Sequence, residues 1–142
     1  ECDAVLFSKE SEIIYKTKGL EAFLKYEKEN AANPMKSGPF AQLLRVISNI
    51  QAKYPHEQTP IRTALITARN SPAHERVIRT LSQWGVRLDE AFFLGGVEKY
   101  EVVKAFGADI FFDDQDVHLE STSKNTPSAK VPYKKESILN NI

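Results

Sequence analysis

Apolar residues follow two different spacings along this chain. Continuous apolar runs have the length of strands that are buried on both faces. These runs lie at 4–7, 61–67, 86–93 and 109–112. Between them, apolar residues recur every three or four positions, which predicts helices. The predicted helices cover 11–30, 40–50, 71–84, 98–106 and 116–120.

The order of these elements predicts the fold class. Strands that alternate with helices are typical of an α/β protein, and we expect a Rossmann-like, doubly wound parallel sheet. Gly19 interrupts the first helical stretch and predicts two helices rather than one. Ser71-Pro72 predicts a helix start with a capping hydroxyl, and Gly85 predicts its end. The polar stretch 121–130 predicts an exposed loop, and 131–133 a last short strand.

Composition narrows the possible partners. The chain has 142 residues, which suits one domain, and its 19 basic residues equal its 19 acidic ones. This balance gives no broad positive surface, so we expect no nucleic-acid partner. One cysteine fits a reducing compartment, and no run is apolar enough to span a membrane. We therefore expect a cytoplasmic protein without a membrane partner, and the sequence leaves its oligomeric state open.

Polar side chains with compatible chemistry follow the predicted strands. The run 109–112 ends in Asp113 and Asp114, and ligands of open α/β sheets bind at this end of the strands. The corresponding positions near the other strands hold Glu1, Asp3, Thr67 and Lys99. Paired carboxylates suit Mg²⁺, whereas a hydroxyl and an ammonium suit phosphate oxygens. Taken singly, these residues also fit a solvated turn, a capping hydroxyl and a solvated lysine.

The same segments carry a resemblance to a known family. The chain resembles the haloacid dehalogenase-like (HAD) phosphohydrolases, and within them the bacterial and cytosolic 5′-nucleotidase family. The resemblance extends to about residue 133. The motifs that carry it lie at 3–8, 19–23, 38–40, 63–69, 72–79, 91–96 and 104–115.

The resemblance implies a reaction and a role for each residue. The expected reaction is Mg²⁺-dependent hydrolysis of nucleoside 5′-monophosphates to nucleoside and phosphate. Asp3 resembles the general acid/base, and its backbone carbonyl is expected to help hold Mg²⁺. Glu1 stands at the position of the nucleophile, which is also a metal ligand. The resemblance implies substrate binding by Thr67, Ala68, Arg69 and Lys99. Of these four residues, Thr67 and Lys99 are also implied to be catalytic. Asp113 and Asp114 are the remaining implied metal ligands.

The resemblance also implies a division of the chain. We expect a catalytic core formed by 1–8 and 55–142, and a small helical cap inserted after the first strand at 9–54. Phe23, Tyr26 and Phe40 are candidates for stacking on the base, although such residues are more often part of a core. The first residue is Glu rather than Met, and the strand that should precede it is absent, so we expect a fragment of a longer chain.

Glu1 departs from the family pattern and keeps a second interpretation open. The family has Asp at this position, and Glu is longer by one methylene. A displacement of about 1 Å can lower a rate about a hundredfold. The alternative function is therefore a catalytically impaired domain that binds nucleotide or metal as a regulatory module. Receiver domains place their acidic pair after the first strand, and a Toprim-like nuclease would leave Thr67 and Lys99 unexplained, so both are weaker alternatives.

Overall fold

The computed structural model describes residues 1–142 and contains two separate pairs of parallel strands. Strand β1 (Ala64–Thr67) pairs with β2 (Glu90–Phe93), and β3 (Phe111–Asp113) pairs with β4 (Ser128–Lys130). Both pairs are parallel. The structure is thus an α/β fold with parallel strands, as predicted, and the strands form two small sheets rather than one continuous sheet.

Five helices surround the strands, and their bounds are close to the predicted ones. They are α1 (Glu10–Glu29), α2 (Ala41–Gln51), α3 (His74–Trp84), α4 (Lys99–Phe106) and α5 (Asp116–Thr122). Short 3₁₀ turns occupy His56–Gln58 and Ile138–Asn140. Gly19 has a φ of +83° inside α1 and divides it into two helical pieces, which confirms that prediction. No helix combines the length and the apolar composition that crossing a membrane requires.

The predicted capping hydroxyl at the start of α3 was wrong. The helix begins at His74, and Ala73 precedes it without a side-chain cap. The N–H of Ser71 instead donates to the side-chain oxygen of Asn70 at 2.8 Å. A turn at residues 70–73 therefore comes before the helix, and the predicted Gly85 end is confirmed by its left-handed φ of +62°.

The prediction of a strand at 4–7 was also wrong. Residues Cys2–Leu6 form a buried, irregular turn of π-helical width, and its two ends are joined by a backbone hydrogen bond of 2.9 Å. Ala4 has a φ of +59°, which reverses the chain direction and excludes a strand. Two carbonyls of the turn accept hydrogen bonds from the N–H groups of Gly38 and Phe40. Burial was predicted correctly, but an apolar run of this length does not distinguish a strand from a buried turn.

The last strand also lies elsewhere than predicted. It occupies Ser128–Lys130 rather than 131–133, inside a stretch that was predicted to be loop. The sequence of this segment contains no apolar run. That fits its place in the structure, where β4 has a partner strand on one edge only and its side chains are partly exposed. The N–H of Val131 donates to the Asp113 carbonyl at 2.8 Å and ends the pairing.

The main core joins the N-terminal turn to β1, α2 and α3. Its members are Cys2, Leu6, Phe7, Met35, Leu44, Leu65, Val77 and Leu81. A smaller cluster of Ile66, Val103 and Phe111 joins β1, α4 and β3. Helix α2 belongs to the predicted cap, yet its Leu44 lies in the main core and Gln51 donates to the Ile61 carbonyl at 3.0 Å. Helix α2 therefore packs as part of the core, and the division at residue 54 stays a prediction.

An apolar groove of about 620 Å³ separates the two sheets. Its walls are the segments 59–66 and 106–112, which contain the outer edges of β1 and β3. Helix α2 contributes Leu43 and Ile47, Phe40 lines the groove just before this helix, and Glu1 lies at the groove as well. The N-terminal nitrogen of Glu1 donates to the Phe112 carbonyl at 3.0 Å, so the edge of β3 already has one partner at this point.

Gly38 is expected to be essential for the N-terminal turn. A Cβ atom there would lie 2.6 Å from the Val5 carbonyl oxygen and closer still to that of Phe7, and neither backbone group can move freely. We expect Gly38→Ala to lower the free energy of unfolding by about 3 kcal/mol. Gly85→Ala is the matched control: it has open space but a φ of +62°, and should lose about 1 kcal/mol. Urea unfolding compares them, and equal losses would contradict this account.

Candidate active site

Four of the predicted site residues meet around one buried ammonium group. The Nζ atom of Lys99 contacts a carboxylate oxygen of Glu1 and lies 2.7 Å from Oδ2 of Asp113. The hydroxyl of Thr67 donates to the other Glu1 oxygen at 3.0 Å. Lys99 is 2 % exposed and Asp113 is fully buried. Residues that are up to 112 positions apart in the sequence are therefore brought together.

Three of these four side chains are placed by the end of an element. Thr67 is the last residue of β1, Asp113 is the last of β3, and Lys99 is the first of α4. A cation at a helix N-terminus is unfavourable for the helix dipole. The two carboxylates offset that cost, and the N–H of Gln115 holds the second oxygen of Asp113 at 2.9 Å.

Charge in this cluster is strongly stabilised. Burial raises the pKa of Glu1, but the Lys99 ammonium lowers it by more than burial raises it. The net pKa of Glu1 is about 2. Burial lowers the pKa of Lys99, because it too disfavours the charged form. The Glu1 and Asp113 carboxylates raise this pKa, and the net shift is upward. Glu1 is therefore a carboxylate and Lys99 an ammonium at neutral pH. A deprotonated Glu1 has the protonation state that a nucleophile needs.

Asp114 differs from its neighbour because one of its oxygens has no partner. Its Oδ2 accepts a hydrogen bond from the Tyr133 hydroxyl, whereas its Oδ1 is buried without any hydrogen bond. Burial, followed by the charges of Asp113 and Glu1, raises the pKa of Asp114 to about 6, although the Tyr133 bond opposes this. A free buried oxygen in an acidic surrounding suits a hard cation.

The donor set is compatible with Mg²⁺, but no metal site is already assembled. Nowhere in the structure do three or more acidic, His or Cys side chains converge in an arrangement that could hold a metal ion. Asp113 is engaged by Lys99, and Asp114 offers its unpartnered oxygen. Asp114 is therefore the acid with an oxygen available to a cation, and ligation of Mg²⁺ by Asp114 and by the Asp3 carbonyl stays a prediction. Direct ligation by Glu1 and Asp113 stays a prediction.

Asp3 lies beside this cluster but has a different partner. Both of its carboxylate oxygens accept hydrogen bonds from Arg69, at 2.6 and 2.7 Å. The remaining contacts of the Arg69 guanidinium are Glu27 at 2.7 Å and the Ala73 carbonyl at 3.0 Å. The Arg69 side chain is 2 % exposed, so four of its five N–H donors serve the protein itself. Ala68 is exposed at the same loop, and substrate contacts by Ala68 and Arg69 stay predictions.

Sequence reasoning missed two acidic residues of α1 that reach this region. Glu12 is buried, and its carboxylate accepts a hydrogen bond from the Gln115 side chain at 3.3 Å. Burial, then the charges of Asp114 and Asp3, raises its pKa to about 7. Glu27 is fully buried. Its place within the apolar stripe of α1 was a usable signal, because an acid on a buried helix face needs a charged partner.

The three candidates for base stacking already have partners within the protein. The Arg69 guanidinium lies 5.1 Å from the ring centre of Phe23, and that of Arg76 lies 5.2 Å from the ring of Tyr26. The ring of Phe40 packs edge-on against Phe112 at 4.8 Å. A role in stacking on a base stays a prediction for each.

Comparison with known proteins identifies the family. A family model described as 5′-nucleotidase matches residues 1–138. The chain belongs to the 5′-nucleotidase family. It is 38 % identical to the human protein named cytosolic 5′-nucleotidase 1B over 127 residues. No solved structure matches the chain.

The alignment with this relative covers most of the chain but only a small part of the human protein. It includes 86 % of the chain but only 21 % of the human protein. The chain therefore spans about a fifth of the length of this 5′-nucleotidase relative. Membership of the 5′-nucleotidase family confirms the resemblance noted in the sequence.

The raised pKa of Glu12 predicts a pH-dependent loss of stability. A carboxyl whose folded pKa lies above its unfolded value binds protons more tightly when folded, so its contribution falls as pH rises from about 4.5 to about 7. Relative to Glu12→Gln, we expect the unmodified protein to lose on the order of 2 kcal/mol between pH 4.5 and 8. Urea unfolding at both pH values, without divalent cations, measures this difference. An equal difference at the two pH values would refute the assignment.

Proposed function

We propose that the chain is the catalytic domain of a Mg²⁺-dependent 5′-nucleotidase that hydrolyses nucleoside 5′-monophosphates. The observation that carries this proposal is the placement of the Lys99 ammonium between Glu1 and Asp113, with the Thr67 hydroxyl on the same Glu1 carboxylate. Within a 5′-nucleotidase family member, this cluster supplies one attacking carboxylate and two groups that can hold phosphoryl oxygens.

The reaction follows from these residues in two steps. A Glu1 oxygen attacks phosphorus and forms an acyl phosphate, while the bond from phosphorus to the nucleoside oxygen breaks. Asp3 accepts two hydrogen bonds from Arg69 in the free protein and takes up a proton as the substrate binds. It gives that proton to the leaving oxygen, then takes a proton from water as the water attacks the phosphoryl group. Phosphate leaves and Glu1 is regenerated. Thr67 and Lys99 hold the phosphoryl oxygens throughout, and bound Mg²⁺ supplies neutralisation of their charge.

The second candidate is an impaired domain that binds nucleotide or metal as a regulatory module. Glu1 favours it, because both of its oxygens are taken by Lys99 and Thr67, and its extra methylene displaces the nucleophile. Positioning errors of about 1 Å lower rates about a hundredfold. Such a domain would keep Asp114 and the phosphate-binding groups, so binding would survive where turnover does not.

We further propose that a strand in the apolar groove completes a doubly wound sheet. The groove lies between the outer edges of β1 and β3, and unpaired strand edges favour addition of another strand. The backbone nitrogen of Glu1 already bonds to Phe112, so any residues placed before Glu1 would enter directly between the two edges. The sheet order would then be β2, β1, the added strand, β3 and β4.

The proposed cellular setting and cap follow from the same family. We place the protein in the cytoplasm, as the name of the human relative suggests. We assign α1 to a cap over the nucleotide, because its first turn carries Glu12 beside Gln115 at the acidic edge. The substrate is a nucleoside monophosphate, and the partners we propose include neither nucleic acid nor membrane.

Hydrogen exchange tests the added strand. A form of the protein that is extended before Glu1 is compared with the chain that starts at Glu1. We expect the amides of 61–66 and 108–112 to exchange at least tenfold more slowly in the longer form, because their edges become paired. Segment 128–130 is the internal control, since β4 does not line the groove. Unchanged exchange at both edges would overturn the proposal.

Phosphate release tests the function. A panel of nucleoside 5′-monophosphates is assayed with Mg²⁺ and with a chelator, using the full chain and its Glu1→Asp form. We expect Mg²⁺-dependent release, faster by about tenfold to a hundredfold in Glu1→Asp because the shorter carboxylate is better aligned. No release from either form, with the fold confirmed by circular dichroism, would exclude the enzyme. Release by Glu1→Asp alone would favour the regulatory module.

A further inference from the structure

A chain of buried charges links helix α1 to the carboxylate of Asp3. Asp3 contacts Arg69, Arg69 contacts Glu27, and Glu27 contacts Arg76 at 3.1 Å. All four side chains are buried, with exposed fractions between 0 and 11 %. The two acidic side chains balance the two basic ones, so this group of four side chains is electrically neutral.

The geometry of Arg69 makes Asp3 depend on Glu27. One edge of the guanidinium, Nε and Nη2, faces the two oxygens of Asp3. Its remaining nitrogen, Nη1, faces Glu27 and the Ala73 carbonyl. Because the guanidinium is planar and rigid, fixing Nη1 also fixes the direction of the edge that holds Asp3.

Glu27 is itself held from several sides. The oxygen that does not face Arg69 accepts hydrogen bonds from the Ser11 hydroxyl at 2.7 Å and from Arg76 at 3.1 Å. Arg76 also donates to the Asn33 carbonyl at 2.9 Å. The Glu27 carboxylate is therefore locked to both pieces of α1, to α3 and to the loop after α1.

Stability alone does not account for this arrangement. Buried ion pairs can often be replaced by apolar residues of similar volume without loss of stability. A bidentate guanidinium that is anchored from behind instead gives directional control over a carboxylate. That control has a use at Asp3, whose proton must reach a specific oxygen of the substrate.

We propose that Glu27 is a positioning residue for Asp3, acting through Arg69. Packing of the second piece of α1 against the core then sets the direction of the acid/base carboxylate. The inference rests on the proposed function, in which Asp3 protonates the leaving oxygen. It adds to that function a contribution from a helix that supplies none of the groups around Lys99.

The test replaces the anchor while the buried charges stay balanced. In Glu27→Met/Arg76→Met, both members of the rear pair become apolar at similar volume, and Asp3 keeps Arg69 as its counter-charge. Glu27→Gln/Arg76→Met is the conservative variant, because glutamine retains an oxygen for Arg69 and gains a donor for Ser11. Glu29→Gln is the matched surface control, since Glu29 lies on the same helix and is 62 % exposed. Thermal unfolding confirms that each variant folds.

Two substrates separate positioning from general damage. A nucleoside monophosphate needs its leaving oxygen protonated, whereas p-nitrophenyl phosphate releases a phenolate that is stable without a proton. For Glu27→Met/Arg76→Met we expect kcat on the nucleotide to fall tenfold to a hundredfold, with KM within threefold. The loss on p-nitrophenyl phosphate should stay below threefold. Glu27→Gln/Arg76→Met should recover most of the nucleotide kcat, and Glu29→Gln should match the parent.

The possible failures are distinguishable. Measurements use whichever parent turns over faster, the Glu1 or the Glu1→Asp form. Equal losses on both substrates, an unchanged nucleotide kcat, or no recovery with glutamine would overturn the positioning role while leaving the proposed function intact. No turnover of the nucleotide by either parent would overturn the proposed function, and the role of Glu27 with it.

Discussion

The contact of Lys99 with Glu1 and Asp113 is the interaction on which the acidic edge depends. A buried ammonium is tolerated when carboxylates surround it, and two buried carboxylates are tolerated when a cation lies between them. Removal of either the ammonium or the carboxylates would leave a buried charge without a partner, which destabilises the fold. The start of α4, the end of β3 and the N-terminal residue are thus held at one point by a single side chain, although their backbones belong to different elements.

A second cationic centre extends this order to helix α1. Arg69 stands between Asp3 and Glu27 much as Lys99 stands between Glu1 and Asp113, and the alternating charges continue to Arg76. Two nearby acids are less well compensated: Asp114 has no partner at its Oδ1, and Glu12 has Lys16 at 3.7 Å as its cationic partner. These two carboxyls have raised pKa values. Uncompensated acidity is therefore concentrated where a metal ion and a phosphate would meet.

Local chemistry explains which elements could be predicted. Gly19, Gly85 and Gly107 mark helix interruptions or ends because each adopts a positive φ that other residues avoid. Strands were predicted less well, since burial and not strand geometry produces an apolar run. The run at 4–7 is buried in an irregular turn, and the strand at 128–130 has no apolar run because it is partly exposed.

The sequence by itself determined the α/β class and the positions of the helices, and it predicted that Asp3, Thr67, Lys99, Asp113 and Asp114 belong to one site. It could do so because parallel strands bring their carboxyl ends to a common edge. The tertiary structure decided which charge meets which: Lys99 with Glu1 and Asp113, and Arg69 with Asp3 and Glu27. These pairings depend on distances of a few ångströms between residues far apart in the chain. Residue type and spacing do not encode such distances, whereas the desolvation of each buried charge selects its partner once the elements have packed.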